Sequence, residues 1–187
     1  MKKLILASQS PRRKQILKDY GLTFDVAPSD IDEDKYLNLP SVEMVETLSK
    51  LKAGKISKEN PNAVVVGADT TVDLNDEILT KPISLDEAKS MLKKLSGSTH
   101  RVITGFTVID GETKKEITGH EETKVTFKVL SEKEIDDYIK NNEVTDKAGA
   151  YAIQEGAGGF VIKTEGDYLN IVGLPSIVRK YLKDFGI

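Results

Sequence analysis

The sequence predicts an α/β protein with a mixed sheet, formed as a single domain over residues 1–187 with two lobes around a cleft. Three features of the chain indicate this class. Two short apolar runs, residues 4–7 and 63–68, are typical of strands buried on both faces. Helical patterns alternate with these runs, and residues 101–130 are rich in β-branched types, which favour two long hairpin strands. A chain of 187 residues is also long enough to bury most of its apolar surface.

In the first half of the chain, strands and helices are expected to alternate. Ser10 followed by Pro11 is typical of the N-cap and first residue of a helix, and Gly21 is typical of its end. Ser84 with Glu87 three residues later predicts a capping box at the start of another helix. The predicted elements are a strand at 4–7, a helix from 11, a strand at 23–27, an acidic loop at 30–34, a long helix from 40, a strand at 63–68 and a helix up to 95.

The second half predicts the hairpin and two further helices. A turn at Asp110 and Gly111 separates the two long strands. Ser131 with Glu134 predicts a second capping box. The predicted elements are strands at 102–109 and 118–129, a helix from 131 toward 142, a glycine-rich stretch at 149–159, a strand at 160–163 and a last helix from about 175 to 185.

The composition excludes several classes of function. Lys and Arg total 27 against 30 Asp and Glu, so the formal net charge is −3, which argues against nucleic-acid and membrane partners. The chain has no cysteine, which excludes disulfides, zinc fingers and thiol nucleophiles, and two histidines cannot alone build a three-histidine metal site. The apolar start is too short for an export signal, and no run approaches the ~18 apolar residues of a membrane span. We therefore expect a cytoplasmic protein in which any bound anion is held by a local cluster.

One such cluster lies at the start of the first helix. Arg12, Arg13 and Lys14 occupy its first turn, where each cation costs about 0.3–1 kcal/mol because the helix dipole is positive there. The hydroxyls of Ser8 and Ser10, the backbone N–H groups and a guanidinium would together suit a phosphate chain. The alternative is an exposed basic turn, but the position directly after a buried strand favours phosphate binding.

Acidic residues occur at two further places. Asp69 follows the predicted strand 63–68, at the edge where α/β sheets place their ligands, and Gly67 and Ala68 would allow close approach. Asp69 could hold a divalent cation or orient a water molecule, or it could simply cap a turn. The acidic loop at 30–34 could supply oxygen ligands for Mg²⁺ or Mn²⁺, although such a run is more often a solvated loop.

Taken together, these motifs resemble the Maf family of nucleotide pyrophosphatases. The matching motifs follow one another along nearly the whole chain: Ser8-x-Ser10-Pro11-Arg12-Arg13, Gly67-Ala68-Asp69-Thr70, Lys81-Pro82, Leu95-Ser96-Gly97, His100-x-Val102, Thr104-Gly105 and Gly166-Asp167-Tyr168-x-Asn170-x-Val172-Gly173-Leu174-Pro175. The stretch Asp146-Lys147-Ala148-Gly149-Ala150-Tyr151-Ala152-Ile153-Gln154 is similar to that of the branch acting on dTTP and UTP. The resemblance implies an inosine-triphosphatase-like fold and an enzyme that hydrolyses a nucleoside triphosphate to the monophosphate and pyrophosphate.

The resemblance also implies roles for individual residues. It makes Asp69 the catalytic carboxylate. We also expect a divalent cation (Mg²⁺, Mn²⁺ or Co²⁺) to bridge phosphate oxygens and carboxylates, with Glu33 and Asp69 as its ligands. The implied substrate-binding residues are Ser8, Ser10, Arg12, Arg13, Lys52, Thr70, Lys81 and Gln154. We expect the four cations of this set to surround the phosphates, and Gln154 to read the uracil or thymine base. Glu155 stands where a small residue is more usual in the family, and we expect it to alter the mobility of its loop rather than the chemistry.

Three alternatives stay open. The first is the paralogous branch that prefers 7-methyl-GTP, which lacks the pattern at residues 146–154. The second is a nucleotide-binding regulator of septum formation without turnover. A dinucleotide-binding dehydrogenase is less favoured, because Gly156-x-Gly158-Gly159 lacks the required spacing and precedes a strand. Whether the protein is a monomer or a homodimer also stays open.

Overall fold

The computed structural model describes residues 2–187, and a mixed seven-stranded sheet forms its centre. The strands are β1 (Lys3–Leu6), β2 (Asp25–Val26), β3 (Ala63–Leu74), β4 (Glu77–Leu79), β5 (Thr99–Asp110), β6 (Glu116–Phe127) and β7 (Val161–Glu165). They lie in the order β2-β1-β3-β5-β6-β7, and β4 pairs with β3 beside this path. The β1 pairings with β2 and β3 are parallel and the other pairings are antiparallel, so the predicted mixed α/β class is confirmed.

Helices pack on both faces of this sheet. They are α1 (Pro11–Asp19), α2 (Ser41–Glu59), α3 (Leu85–Leu95), α4 (Glu132–Asn141), α5 (Tyr168–Val172) and α6 (Ile177–Asp184). The short α5 was not predicted, because its stretch reads as a glycine-bounded loop, and Asp167 caps it by accepting from the Leu169 N–H. Short 3₁₀ turns occur at Asp34–Tyr36, Ala148–Ala150 and Ala157–Phe160.

The two predicted capping boxes have different outcomes. At α4 the box is complete, since the Ser131 hydroxyl accepts from the Glu134 N–H and the Glu134 carboxylate accepts from the Ser131 N–H. At α3 the Ser84 hydroxyl accepts from the Glu87 N–H as expected. The Glu87 carboxylate, however, accepts from the N–H of Ile83, one residue before the cap, so the reciprocal bond predicted there is wrong.

Strand β3 is twice as long as its apolar run predicted. It continues to Leu74 because β5 pairs with it in antiparallel fashion along almost its whole length, so Asp69 lies in mid-strand and not after the strand. On its other edge, β1 pairs with residues 63–66 and β4 with residues 72–74. Within residues 2–187, no strand covers this edge of β3 between these two stretches. The candidate functional site lies in this gap.

Two glycines bring α2 unusually close to the sheet. A Cβ on Gly67 of β3 would overlap the backbone of α2 at Ser49 and Ala53, and one on Gly105 of β5 would overlap it at Val45. The expectation that Gly67 makes room for a ligand is therefore wrong, because the close neighbour of Gly67 is a helix. The result of this packing is that the middle of α2 is held directly against the centre of β3.

Apolar clusters lie along the sheet on either side of the gap. One cluster joins α1 and α6 to β1, β3 and β5, and another joins α3 and α4 to the far halves of β3, β5 and β6. The α2 face is filled by smaller clusters. No helix among the described residues is long and apolar enough to cross a membrane.

Candidate active site

A cleft of about 900 Å³ opens at the gap beside β3. Its walls come from the start of α1, the loop before α2, the middle of α2 and β3, the loop after β4, and residues 146–154. Every residue predicted for the site lines this cleft, namely Ser8, Ser10, Arg12, Arg13, Glu33, Lys52, Asp69, Thr70, Lys81 and Gln154. The fold thus brings these residues together from widely separated parts of the chain.

Lys52 lies between two carboxylates at the floor of the cleft. Its Nζ is 2.6 Å from Asp69 Oδ1 and 2.8 Å from Glu33 Oε1. The side chains of Lys52 and Asp69 are 9% and 11% exposed, so each charge needs a partner there. Burial alone would raise the pKa of Glu33, but the charges of Lys52, Lys81 and Arg13 outweigh it and hold that pKa below its ordinary value. Glu33 is therefore ionised at neutral pH.

Arg13 is held from three directions on the opposite wall. The Ser10 hydroxyl caps α1 by accepting from the Arg13 N–H at 3.4 Å, which fixes the backbone. The guanidinium donates from Nε to the Gly173 carbonyl (2.7 Å), from Nη1 to Ser8 Oγ (3.1 Å) and from Nη2 to Thr70 Oγ1 (3.0 Å). Because each Nη carries two N–H groups, both retain a donor for a ligand.

The hydroxyls of Thr70 and Thr104 form a hydrogen-bonded chain that ends at this guanidinium. Thr104 Oγ1 donates to the Asn170 carbonyl at 2.9 Å, so in its 2.9 Å contact with Thr70 it is the acceptor. Thr70 therefore donates its hydroxyl proton to Thr104 Oγ1, and the Thr70 oxygen accepts a hydrogen bond from Arg13. Burial lowers the pKa of Arg13 while the charge of Asp69 opposes that shift, and an arginine still stays protonated. Arg13 is therefore a fixed positive group aimed into the cleft.

Arg12 has a different environment from the one expected. Its Nη1 lies 3.3 Å from Glu155 Oε1 and 3.6 Å from Asp146 Oδ2. Arg12 lines the cleft, but its charge is already offset by these two carboxylates. The charge of Arg12 is thus paired within the protein, and its expected place around the phosphates with the other cations stays a prediction.

The last two predicted residues, Lys81 and Gln154, lie at the exposed rim. Lys81 follows β4, and its charge contributes to the lowered pKa of Glu33 across the cleft. Gln154 lies in the turn at residues 153–156, where it is exposed and lines the cleft.

Comparison with known proteins identifies the family. The family described as "Maf-like protein" matches residues 3–185. The chain belongs to the Maf family. Relatives extend over nearly its whole length: a protein named dTTP/UTP pyrophosphatase from Alkaliphilus oremlandii (strain OhILAs) is 52% identical over 94% of this chain and 91% of its own. Another of the same name from Bacillus pumilus (strain SAFR-032) is 47% identical over 100% of this chain and 98% of its own.

Among solved structures, the chain aligns with a HAM1 protein from Coxiella burnetii. That alignment has a TM-score of 0.47 and 15% identity, and it covers 68% of this chain and 73% of the other.

The carboxylates of this Maf-family cleft suit one kind of metal site. No group of three or more His, Cys, Asp or Glu residues within the part of the chain that the structure describes could enclose a metal ion. Magnesium, however, usually binds through one or two carboxylates together with substrate phosphates. Glu33 and Asp69, which share a single lysine, fit a cation of that kind.

Sequence reasoning missed several residues that support the site. The Gly173 carbonyl accepts from Arg13, and the Thr104 hydroxyl contacts Thr70. Neither residue type predicts an active-site role from the sequence, although both residues fall in motifs shared with the Maf family. His100, expected to be structural or at the surface, is buried, and its Nε2 lies 2.6 Å from the Tyr151 hydroxyl on the cleft wall. Burial lowers the pKa of His100 to about 4, so the ring is neutral at pH 7. This agrees with a structural role.

Proposed function

We propose that this chain is a nucleoside triphosphate pyrophosphatase that hydrolyses dTTP and UTP at the bond between the α- and β-phosphates. The products are the nucleoside monophosphate and pyrophosphate. The observation that carries the proposal is the placement of Asp69 and Arg13 in one cleft, with Arg13 donating to Thr70, the residue next to Asp69. The names of the relatives at 47% and 52% identity support the substrate class. The proposal places the reaction in the cytoplasm.

The phosphate chain is expected to lie against the start of α1. Arg13 presents its remaining Nη donors there, and Ser8 and Ser10 lie beside it. A fixed guanidinium at this position stabilises the charge that develops on the departing pyrophosphate. Lys81 on the rim adds a second, exposed cation. The bound triphosphate would therefore have its leaving group at α1 and its α-phosphorus near β3.

Asp69 is expected to act on the attacking water. Lys52 contacts Asp69 through Oδ1, so Oδ2 remains available to orient a water for in-line attack on the α-phosphorus. The water oxygen forms the new bond to phosphorus, the bond to the bridging oxygen breaks, and the water proton leaves toward the Asp69 side. A divalent cation held by Glu33 and Asp69 would supply Lewis-acid stabilisation of the phosphate oxygens.

Base choice is expected to depend on Gln154. Uracil and thymine present an N–H donor between two carbonyl acceptors, and a glutamine amide can serve both. A methyl group changes binding by only ~1–3 kcal/mol, so one pocket can accept both UTP and dTTP.

The test is a panel of nucleoside triphosphates, assayed for pyrophosphate with Mg²⁺, Mn²⁺ or Co²⁺. We expect dTTP and UTP to be hydrolysed fastest. Hydrolysis in ¹⁸O-labelled water is expected to put the label in the monophosphate, because attack is at the α-phosphorus. A preference for 7-methyl-GTP, or nucleotide binding without pyrophosphate release, would refute the proposal in favour of the paralogous branch or of a non-catalytic regulator.

A further inference from the structure

Four charged side chains form a closed ring at one side of the cleft. Arg12 is 3.6 Å from Asp146, Asp146 is 2.6 Å from Lys147, Lys147 is 2.9 Å from Glu155, and Glu155 is 3.3 Å from Arg12. Each cation thus contacts both carboxylates, and each carboxylate contacts both cations. We call these four residues the charge ring.

The buried member of the charge ring is Lys147, whose side chain is 2% exposed. Burial alone would lower the pKa of Lys147, but Asp146 and Glu155 outweigh it, and the pKa is raised. A buried ammonium that loses one of two carboxylate partners is poorly compensated and draws its surroundings into a new arrangement. Lys147 Nζ also donates to the Glu143 carbonyl, but that oxygen carries no formal charge, so the charge of the buried ammonium is balanced by the two carboxylates of the ring.

The charge ring joins two parts of the site that do different things. Arg12 precedes Arg13, the phosphate-facing residue of α1, and Glu155 follows Gln154, the residue expected to face the base. Glu155 itself is not among the described residues that line the cleft. The ring is thus a direct link between the phosphate-binding helix and the base-reading turn.

We propose that Glu155 is a positioning residue for base selection, which holds Gln154 at a set distance from α1 through the charge ring. This inference rests on the proposed function. A nucleotide is recognised at both ends at once, so base discrimination requires that the two ends of the site keep a constant separation. The expectation that Glu155 affects only loop mobility would then be too weak, because its charge would contribute to specificity.

The variant Glu155→Gln separates this role from general damage. It keeps the size of the side chain and removes the charge that Arg12 and Lys147 share. Arg12 is then released from one carboxylate and can turn to phosphates, so the binding of a base-free polyphosphate is not weakened. The link between the turn with Gln154 and α1 is weakened, in contrast, because a salt bridge to Arg12 is replaced at best by a hydrogen bond to a neutral amide. We therefore expect the ratio of kcat/KM for dTTP to that for dCTP to fall about tenfold. The inhibition constant of inorganic tripolyphosphate is expected to stay the same or to decrease.

A matched control is available on the surface. Glu132 also bridges two lysines, with Lys93 Nζ at 2.6 Å and Lys89 Nζ at 3.3 Å, but it lies between α3 and α4. The variant Glu132→Gln makes the same chemical change and is expected to leave both quantities unchanged. If Glu155→Gln fails to fold, Glu155→Asp keeps the charge but withdraws it by one methylene from Arg12, and the ratio of kcat/KM for dTTP to that for dCTP is expected to fall in the same direction.

The outcomes distinguish the inference from the proposed function. A dTTP-to-dCTP ratio within twofold of the wild type overturns the inference, as does an inhibition constant for tripolyphosphate that rises as the ratio falls. If the wild type hydrolyses neither dTTP nor UTP, the proposed function fails. The charge ring is then tested by calorimetric affinities for dTMP and dCMP, whose ratio must still fall in Glu155→Gln.

Discussion

The hydroxyl chain behind Arg13 gives the sharpest test of how the site is held. Thr104→Val keeps the shape of a fully buried side chain and removes its hydroxyl. Two hydrogen bonds are lost, one from Thr70 and one to the Asn170 carbonyl. At about 0.5–1.5 kcal/mol each, they contribute about 1–3 kcal/mol to the free energy of unfolding. The Asn170 carbonyl keeps its bond from the Gly173 N–H at 3.1 Å, so no larger penalty is expected.

The same variant should also weaken substrate binding. Without Thr104, the Thr70 hydroxyl has no fixed acceptor, and its oxygen no longer points steadily at Arg13 Nη2. A charged hydrogen bond is worth about 1.5–3 kcal/mol, and losing roughly half of that corresponds to about a three- to tenfold rise in KM for dTTP. Steady-state pyrophosphate release measures KM, and thermal unfolding measures the stability loss at about 2–4 °C per kcal/mol for a chain of this size.

Thr107→Val is the matched control on the same strand. Thr107 is also fully buried, and its hydroxyl also lies 3.0 Å from each of two partners, Ser49 and Thr118, away from the cleft. We expect Thr107→Val to lower the free energy of unfolding about as much as Thr104→Val does and to leave the KM for dTTP unchanged. A KM that does not change in Thr104→Val, or that rises equally in both variants, would refute the reasoning that the chain orients Arg13.

Three further predictions concern the carboxylate, the base and a buried histidine. Asp69→Asn should lower kcat at least a hundredfold while calorimetry still detects dTTP; near-wild-type turnover would contradict its catalytic role. Gln154→Leu should reduce the preference for dTTP and UTP over dCTP more than it slows any one substrate; equal selectivity would count against base reading. His100 has a pKa of about 4 in the folded protein, below the ~6.5 of an unfolded chain, so unfolding takes up a proton and stability falls from pH 6.5 toward 4. In urea titrations His100→Gln should flatten that slope, and an unchanged slope would show that other groups cause it.

The sequence predicted the helix caps well, because a cap depends on hydrogen bonds between residues that are close together in the chain. The Ser10 cap and the Ser131–Glu134 capping box involve atoms within three residues of each other, and both formed as predicted. At Ser84 the same signal was only half correct, because Ile83 offered its N–H to the same carboxylate. The sequence pattern specifies the donor types but does not decide between adjacent donors.

The features that the sequence did not predict depend on contacts between residues that are far apart in the chain. The apolar run ends at residue 68, yet β3 continues because β5, some thirty residues later, offers a full antiparallel edge. Arg12 looked like one more phosphate ligand, since its partners Asp146 and Glu155 are far along the chain. All ten predicted site residues still line the cleft, because the resemblance to a family carries long-range information that composition and spacing lack.

The charge balance of the cleft explains how it can bind a polyanion without being strongly positive. Lys52 is paired with Asp69 and Glu33, so Arg13 and Lys81 are the cleft cations without a salt bridge to a carboxylate among the described residues. Under the proposed function, a bound triphosphate would compete with the two carboxylates for Lys52. If Lys52 turned to a phosphate oxygen, Asp69 and Glu33 would need another positive partner, because an unpaired carboxylate in so enclosed a position is costly. A divalent cation bound with the triphosphate would have the charge and the oxygen preference to meet that need. Glu33 and Asp69 would then hold the cation in place of Lys52, and Asp69 would keep one oxygen for the attacking water.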